Sequence, residues 1–363
     1  MWDKFIHSIP TVFDLLALTT CIGALGFRLW VLPPTVKASD ELDSKVLFIS
    51  LWRLLALCIT VLVLSSAVLL VARATEMSNL SLGATLPSLP TVLFKTHYGH
   101  TWLVRAAAIA ALWAGWWIGK RHLNSRAIPA FMLGAVVVVA FTRSASGHAA
   151  DAGDFRLPEL MDWIHLMAAS FWGGGLIVLS TVVLPMAIKR ADQGRILIAD
   201  IAHRFSTLAG ATLAGVLLTG IYNAWFEVRS FQALWETAYG QTLIAKLLLL
   251  LVLIMLGASN RYISVPLLGQ WAGRPLSKRG TPYNLLVVRY LTFTQLKPDG
   301  AHVAYWFVRK VGIEAILIVG ILMCAALLQH EVPARHSLHL GPGHAMEKSK
   351  IEEKKTSAPK GAD

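Results

Sequence analysis

Gly147-His148-Ala149, a short acidic loop, then His165-Leu166-Met167-Ala168-Ala169-Ser170-Phe171-Trp172-Gly173-Gly174-Gly175 is the stretch on which the reading of this chain turns. It places His148 at the end of one strongly apolar segment and His165 at the start of the next. Segments of 20 or more apolar residues are too long and too greasy for a water-soluble domain. Histidine at a membrane boundary is typically a metal ligand, a haem ligand or a proton carrier.

Composition gives the same class. Of the 363 residues, 55% are hydrophobic and 15% charged, where a soluble domain carries about 25% charged. Eight apolar spans can be drawn, at about residues 10–32, 46–71, 98–119, 127–146, 160–188, 201–226, 239–262 and 302–329. Inside hydrocarbon only helices satisfy their own backbone groups over such lengths. The expected fold is therefore all-α, a polytopic membrane helical bundle of about eight transmembrane helices.

Loop charges set the expected orientation. Lys37, Lys45, Lys120, Arg121, Arg126, Lys189, Arg190, Arg195, Arg204 and a basic segment over 261–310 lie on one side. The positive-inside rule puts that side in the cytoplasm and both termini in the periplasm. The net charge of +12 thus follows from topology and no nucleic-acid partner is expected, since no folded basic domain lies outside the bilayer. Cys21, Cys58 and Cys324 fall inside apolar runs, so no disulfide framework is expected. The N-terminus lacks a basic n-region and a small-residue cleavage site, so no removable signal peptide is read. Residues 1–330 form the transmembrane domain, with a cytoplasmic loop at 263–301. Residues 331–363 form a periplasmic, disordered tail containing His336, His339, His344 and Met346.

In that orientation nine histidines (7, 97, 100, 148, 165, 330, 336, 339 and 344) fall on the outer side and three (122, 203 and 302) on the inner. The loop joining spans 4 and 5 brings His148 and His165 to similar depth at the rim. Met161, His165, Ala168 and Trp172 recur at helical spacing and share a face. Thioether with imidazole suits Cu(I); imidazole alone also takes Cu(II) or Zn(II). Asp162, three residues before His165, is placed to orient its second ring nitrogen. His97 and His100, at i and i+3 before span 3, make a second outer site or a capping loop.

Asp14, Arg53, Arg143, Lys246 and Glu314 lie within the spans, where ionisable groups need a partner or a path. Glu314 is expected to face Arg53 or Arg204. Met132, Met167, Met186, Met255 and Met323 are thioether steps or ordinary core. Ala169/Gly173 and Ser170/Gly174 give small-residue spacing for close helix packing, with span 6 the natural partner.

These residues resemble the copper-resistance protein D (CopD) family of bacterial inner-membrane proteins. The resemblance rests on Ser146-Gly147-His148-Ala149, His165 through Gly175, and His203-Arg204-Phe205-Ser206. It continues with Thr219-Gly220-Ile221-Tyr222-Asn223, Tyr239 through Lys246, and Arg309 with Glu314. It implies an eight-span copper-handling protein, not an enzyme, usually accompanied by a periplasmic copper-binding CopC-like partner. The expected function is copper import through an outer His/Met site. The site comprises His148, His165, Met161, His97 and His100, with Asp162, Met167, Trp172, Arg143, Lys246 and Glu314 as path or supporting residues. Two alternatives stay open: a non-transporting copper delivery or assembly factor, and a b-type haem electron-transfer protein.

Overall fold

A computed structural model describes residues 2–37, 42–78, 82–146, 156–188, 192–228, 230–273 and 300–331. Every regular element among them is helical, and eight helices are long and apolar enough to cross a membrane. His148, the tail histidines and residues 274–299 of the expected inner loop lie outside the described residues.

Span 1 (Trp2–Gly26, continued by a π-helical turn over Phe27–Val31) is the centre of the bundle. Buried positions make up 72% of its apolar window, against 17% and 11% for spans 6 and 7. Its core face carries Leu18, Cys21, Ile22 and Leu25, each essentially inaccessible to solvent. The other spans are Leu42–Ser78, His97–Gly119, Ala127–Ser144, Leu157–Ala187, Gly194–Val228, Ala238–Trp271 and His302–His330. Span 1 packs on spans 2, 4, 5 and 8, and span 5 packs on span 6.

The glycine stretch of span 5 has three partners. Gly174 lies against Thr19 and Gly23 of span 1, so closely that a Cβ on Gly174 would overlap the Thr19 carbonyl oxygen. Ser170 and Thr19 meet there through their hydroxyls at 3.4 Å. The expected partner, span 6, takes the neighbouring positions: Phe205 fills the space beside Gly175, and Ala168 faces Gly215. Gly173 in turn meets Ile318 of span 8, so each of the three glycines faces a different helix.

Several boundaries extend beyond the apolar core. Span 7 continues to Trp271 through a π-helical turn at Asn260–Ser264, so the start of the expected 263–301 loop is helical. Pro266 follows this π-helical turn directly, inside a helix that continues without a break. A π-helical turn at Leu179–Val183 likewise precedes Pro185 in span 5. Ahead of span 3, short helices form at Leu82–Thr85 and Leu89–Lys95. Trp52 and Trp116 each donate an indole N–H to the other's backbone carbonyl, at 3.1 and 2.9 Å, stitching span 2 to span 3. Trp117 is exposed and stacks under the Lys120 ammonium.

Candidate metal centre

His165 sits two helical turns inside span 5, about 12 Å from its first residue at 1.5 Å per residue. The span begins at Leu157 rather than 160, so the side chain lies deeper than the expected rim. Its Nδ1 is 3.0 Å from the Thr219 hydroxyl of span 6. That hydroxyl donates its proton to the Gly215 carbonyl at 2.6 Å, one turn back. Thr219 therefore accepts from His165, which places the ring proton on Nδ1, and the ring also meets the Val216 backbone. Gly220 makes the approach possible, since a Cβ there would stand 3.2 Å from His165 Cε1.

Around this imidazole a charged group gathers from five spans. Asp162, one turn earlier, interacts electrostatically with Lys246 of span 7 and Arg143 of span 4. Arg143 donates to the Gln329 side chain of span 8. Arg143 Nη1 also lies 3.6 Å from Asp14 Oδ2 of span 1. Asp14, fully buried, accepts from Arg105 of span 3 at 2.5 Å and from the Ser65 hydroxyl at 2.9 Å. Arg105 is held in turn by Ser66 Oγ at 2.8 Å. The sequence points to Asp14 and Arg143 as buried charges and to Arg105 near the edge, but it does not pair them.

Truncating Arg105 to glutamine would strand the Asp14 carboxylate with one fewer cation in a low-dielectric interior. The expected loss is about 3–5 kcal/mol of stability, the usual consequence of breaking a buried pair from one side. Thermal unfolding of the detergent-purified variant measures it, and a midpoint equal to wild type would show that Arg143 alone compensates.

The remaining predicted residues are distributed as follows. Met161 and Met167 are half-buried on span 5, and Trp172 is buried a turn beyond Ala168. His97 and His100 are exposed at the head of span 3, where Thr96 caps the helix by accepting from Gly99 N–H at 3.0 Å. His100 Nε2 lies 3.2 Å from the Phe94 carbonyl, in keeping with the capping reading. Among the described residues, no three His, Cys, Asp or Glu side chains converge as a ready metal set.

Glu314 corrects an expectation. It faces neither Arg53 nor Arg204, both of which are exposed. Its carboxylate accepts from Asn260 at 3.0 Å, in the π-helical turn of span 7. Asn260 accepts from Ser264, and Lys310 donates to Ser259 at 2.9 Å. A buried carboxylate in an apolar wall requires donors, and the π-turn supplies them one turn from the cluster's end. The two polar clusters, Asp162/His165 and Glu314/Asn260, thus stand toward opposite ends of the bundle.

Two family models match the chain: "Copper resistance protein D-like, N-terminal domain" over residues 11–156, and "Copper resistance protein D" over residues 199–328. Among curated proteins, the chain is 34% identical over 172 residues to the "Copper transport protein CutJ" of Bacillus subtilis (strain 168), covering 46% of this chain and 30% of that protein. It is 26% identical over 207 residues to "Copper resistance protein D" of Pseudomonas syringae pv. tomato, covering 56% and 66%. It is 25% identical over 189 residues to the "Inner membrane protein YebZ" of Escherichia coli (strain K12), covering 51% and 61%. The matches thus span from under a third to about two thirds of those relatives' own length. No solved structure matches.

Proposed function

The chain belongs to the copper-resistance protein D family, and from that premise we propose that it binds copper within the bilayer at His165 and passes it inward. The observation that carries this reading is the Thr219–His165 hydrogen bond, which fixes the orientation of the imidazole and places its proton on Nδ1. Met161, a turn earlier on the same helical face, adds a thioether, and the pair suits Cu(I). Asp162 supplies a carboxylate beside them, and Lys246 and Arg143 balance its charge. His148, with His97 and His100, serves as the outer collecting group. A periplasmic copper-binding protein of the CopC kind delivers to it at the outer face of a bacterial inner membrane.

Movement inward runs from the Asp162/His165 cluster toward the Glu314/Asn260 cluster, past the half-buried Met167 of span 5. The membrane potential drives one positive charge in this direction with about 2.3 kcal/mol per 100 mV. The relatives named for copper transport and copper resistance support a carrier rather than an enzyme.

The test is copper content and optical spectrum of the purified protein beside His165→Ala and His148→Ala. Copper is expected in wild type, lost with His165→Ala and weakened with His148→Ala, and copper loaded outside proteoliposomes is expected to enter under an inside-negative potential. Binding without flux would make the protein a delivery factor. A Soret band lost with His165 would make it a haem protein, and copper retained without His165 would overturn the site.

A further inference from the structure

The two halves of the chain repeat one another. Thr96-His97-Tyr98-Gly99-His100-Thr101 heads span 3, and Thr237-Ala238-Tyr239-Gly240-Gln241-Thr242 heads span 7. In each, the first threonine caps the helix by accepting from the glycine N–H, at 3.0 Å in both. Each glycine backs onto the carbonyls of a short preceding helix, Val92 and Leu93 in one half and Ala233 and Leu234 in the other, with no room for a Cβ. The order of packing repeats as well: span 1 on span 2 as span 5 on span 6, span 3 on span 4 as span 7 on span 8, and span 1 on span 8 as span 5 on span 4. Four spans per half keep the halves in the same orientation, so the relation is a two-fold about the bundle's long direction. Counterpart residues meet across that axis. Arg143, next to last in span 4, donates to Gln329, next to last in span 8.

This repeat pairs the charges. Arg105 follows Gly99 by six residues, and Lys246 follows Gly240 by six. Arg105 holds Asp14 of span 1, and Lys246 interacts with Asp162 of span 5. Asp14 is thus the first half's counterpart of Asp162, and Arg143 stands between the two. It satisfies neither fully: Asp14 Oδ2 and Arg143 Nε are buried without a hydrogen-bond partner. Two carboxylates that share one guanidinium compete for it.

We propose that Asp14 is a positioning residue for the copper site, drawing Arg143 partly off Asp162 so that the carboxylate one turn before His165 stays available to a cation. Asp14 touches no metal; it acts through Arg143. Removing its charge releases Arg143 to Asp162, which brings a fixed positive charge toward the imidazole and weakens cation binding. The inference rests on the copper reading of the His165 cluster.

The test measures Cu(I) affinity of the purified full chain by competition with a chromophoric chelator, for wild type, Asp14→Asn, Arg143→Gln and the double variant. Asp14→Asn is expected to weaken binding at least tenfold, and Asp14→Asn/Arg143→Gln to restore it to within about threefold of wild type, because the released cation is gone. A merely structural role gives the opposite ordering, since removing a second buried partner adds damage. Wild-type affinity in Asp14→Asn, or a double variant as weak as the single, overturns the proposal. Should Asp14→Asn not fold, Arg143→Gln decides: it is expected to bind Cu(I) several-fold more tightly than wild type, and unchanged or weaker binding overturns the proposal. Absence of copper from wild type itself overturns the parent reading instead.

Discussion

Replacing Gly174 with alanine is expected to leave far less folded protein in detergent extracts than the same change at Gly173 or Gly134. The new methyl would fall on the Thr19 carbonyl oxygen, and the Gly23 backbone lies against the same spot. Backbone cannot rotate out of the way as a side chain can, so spans 1 and 5 must separate. Their separation unseats the most buried helix of the protein. Overpacking typically costs about 1–3 kcal/mol, and backbone-on-backbone contact puts this case at or above the upper end. Two controls isolate the cause. Gly173→Ala meets the Ile318 side chain, at 3.0 Å from Cδ1 and 3.1 Å from Cγ2, and no backbone. Gly134→Ala meets nothing within 4 Å and is expected to stabilise its helix by about 0.5–1 kcal/mol. Thermal unfolding followed by size-exclusion ranks the three. Equal midpoints for Gly174→Ala and Gly173→Ala would mean that the crossing is not where the fold is held.

The contrast among these glycines shows what was legible in the sequence. Eight spans and their order followed from apolar run length alone, because hydrocarbon thickness admits few solutions. The small-residue spacing of Ser170 and Gly174 marked a close crossing, but spacing specifies a face and not the helix that meets it. Span 6 was a reasonable expectation because it carries its own small residues. Span 1 took the closest contact because Thr19 and Gly23 are small at the matching height, a signal present in the sequence but diluted among many small residues.

Charge pairing was harder to read for the same reason. Asp14 and Arg143 stood out as buried ionisable groups, and Glu314 had two plausible partners by depth. Choosing between them requires each helix's rotation, which hydropathy does not set when a span is apolar on every side. Span 2 and span 6 have nearly no amphipathic bias, so Arg53 and Arg204 could have pointed either way. Asn260, the actual partner of Glu314, is uncharged and sits in a π-helical turn, where ordinary helical spacing misplaces side chains by a step. Depth, by contrast, could be counted. Asp14 near the start of span 1, Arg105 two turns into span 3 and Arg143 at the end of span 4 share a level once the direction of each span is fixed.

Thr219 tests the candidate centre more sharply than the histidine itself, because it changes the ligand's orientation and leaves the ligand in place. Thr219→Val preserves shape while removing the oxygen that accepts from His165 Nδ1 at 3.0 Å. The ring is then free to rotate, to carry its proton on Nε2 or to seek the Gly215 carbonyl that Thr219 had occupied. Loss of such an orienting partner typically lowers metal affinity 10- to 100-fold, roughly 1.4–2.7 kcal/mol at tenfold per 1.4 kcal/mol. Thr219→Ser keeps both hydrogen bonds and is expected to bind within about threefold of wild type. Valine also leaves the Gly215 carbonyl as it would be in any helix, already bonded within the backbone, so stability should fall by no more than about 1 kcal/mol. A large fall in copper affinity with a small change in unfolding midpoint therefore marks an orienting hydrogen bond. Equal affinity in the valine and serine variants would show that the imidazole is held by packing against Gly220 alone, and that its tautomer does not matter to what it binds.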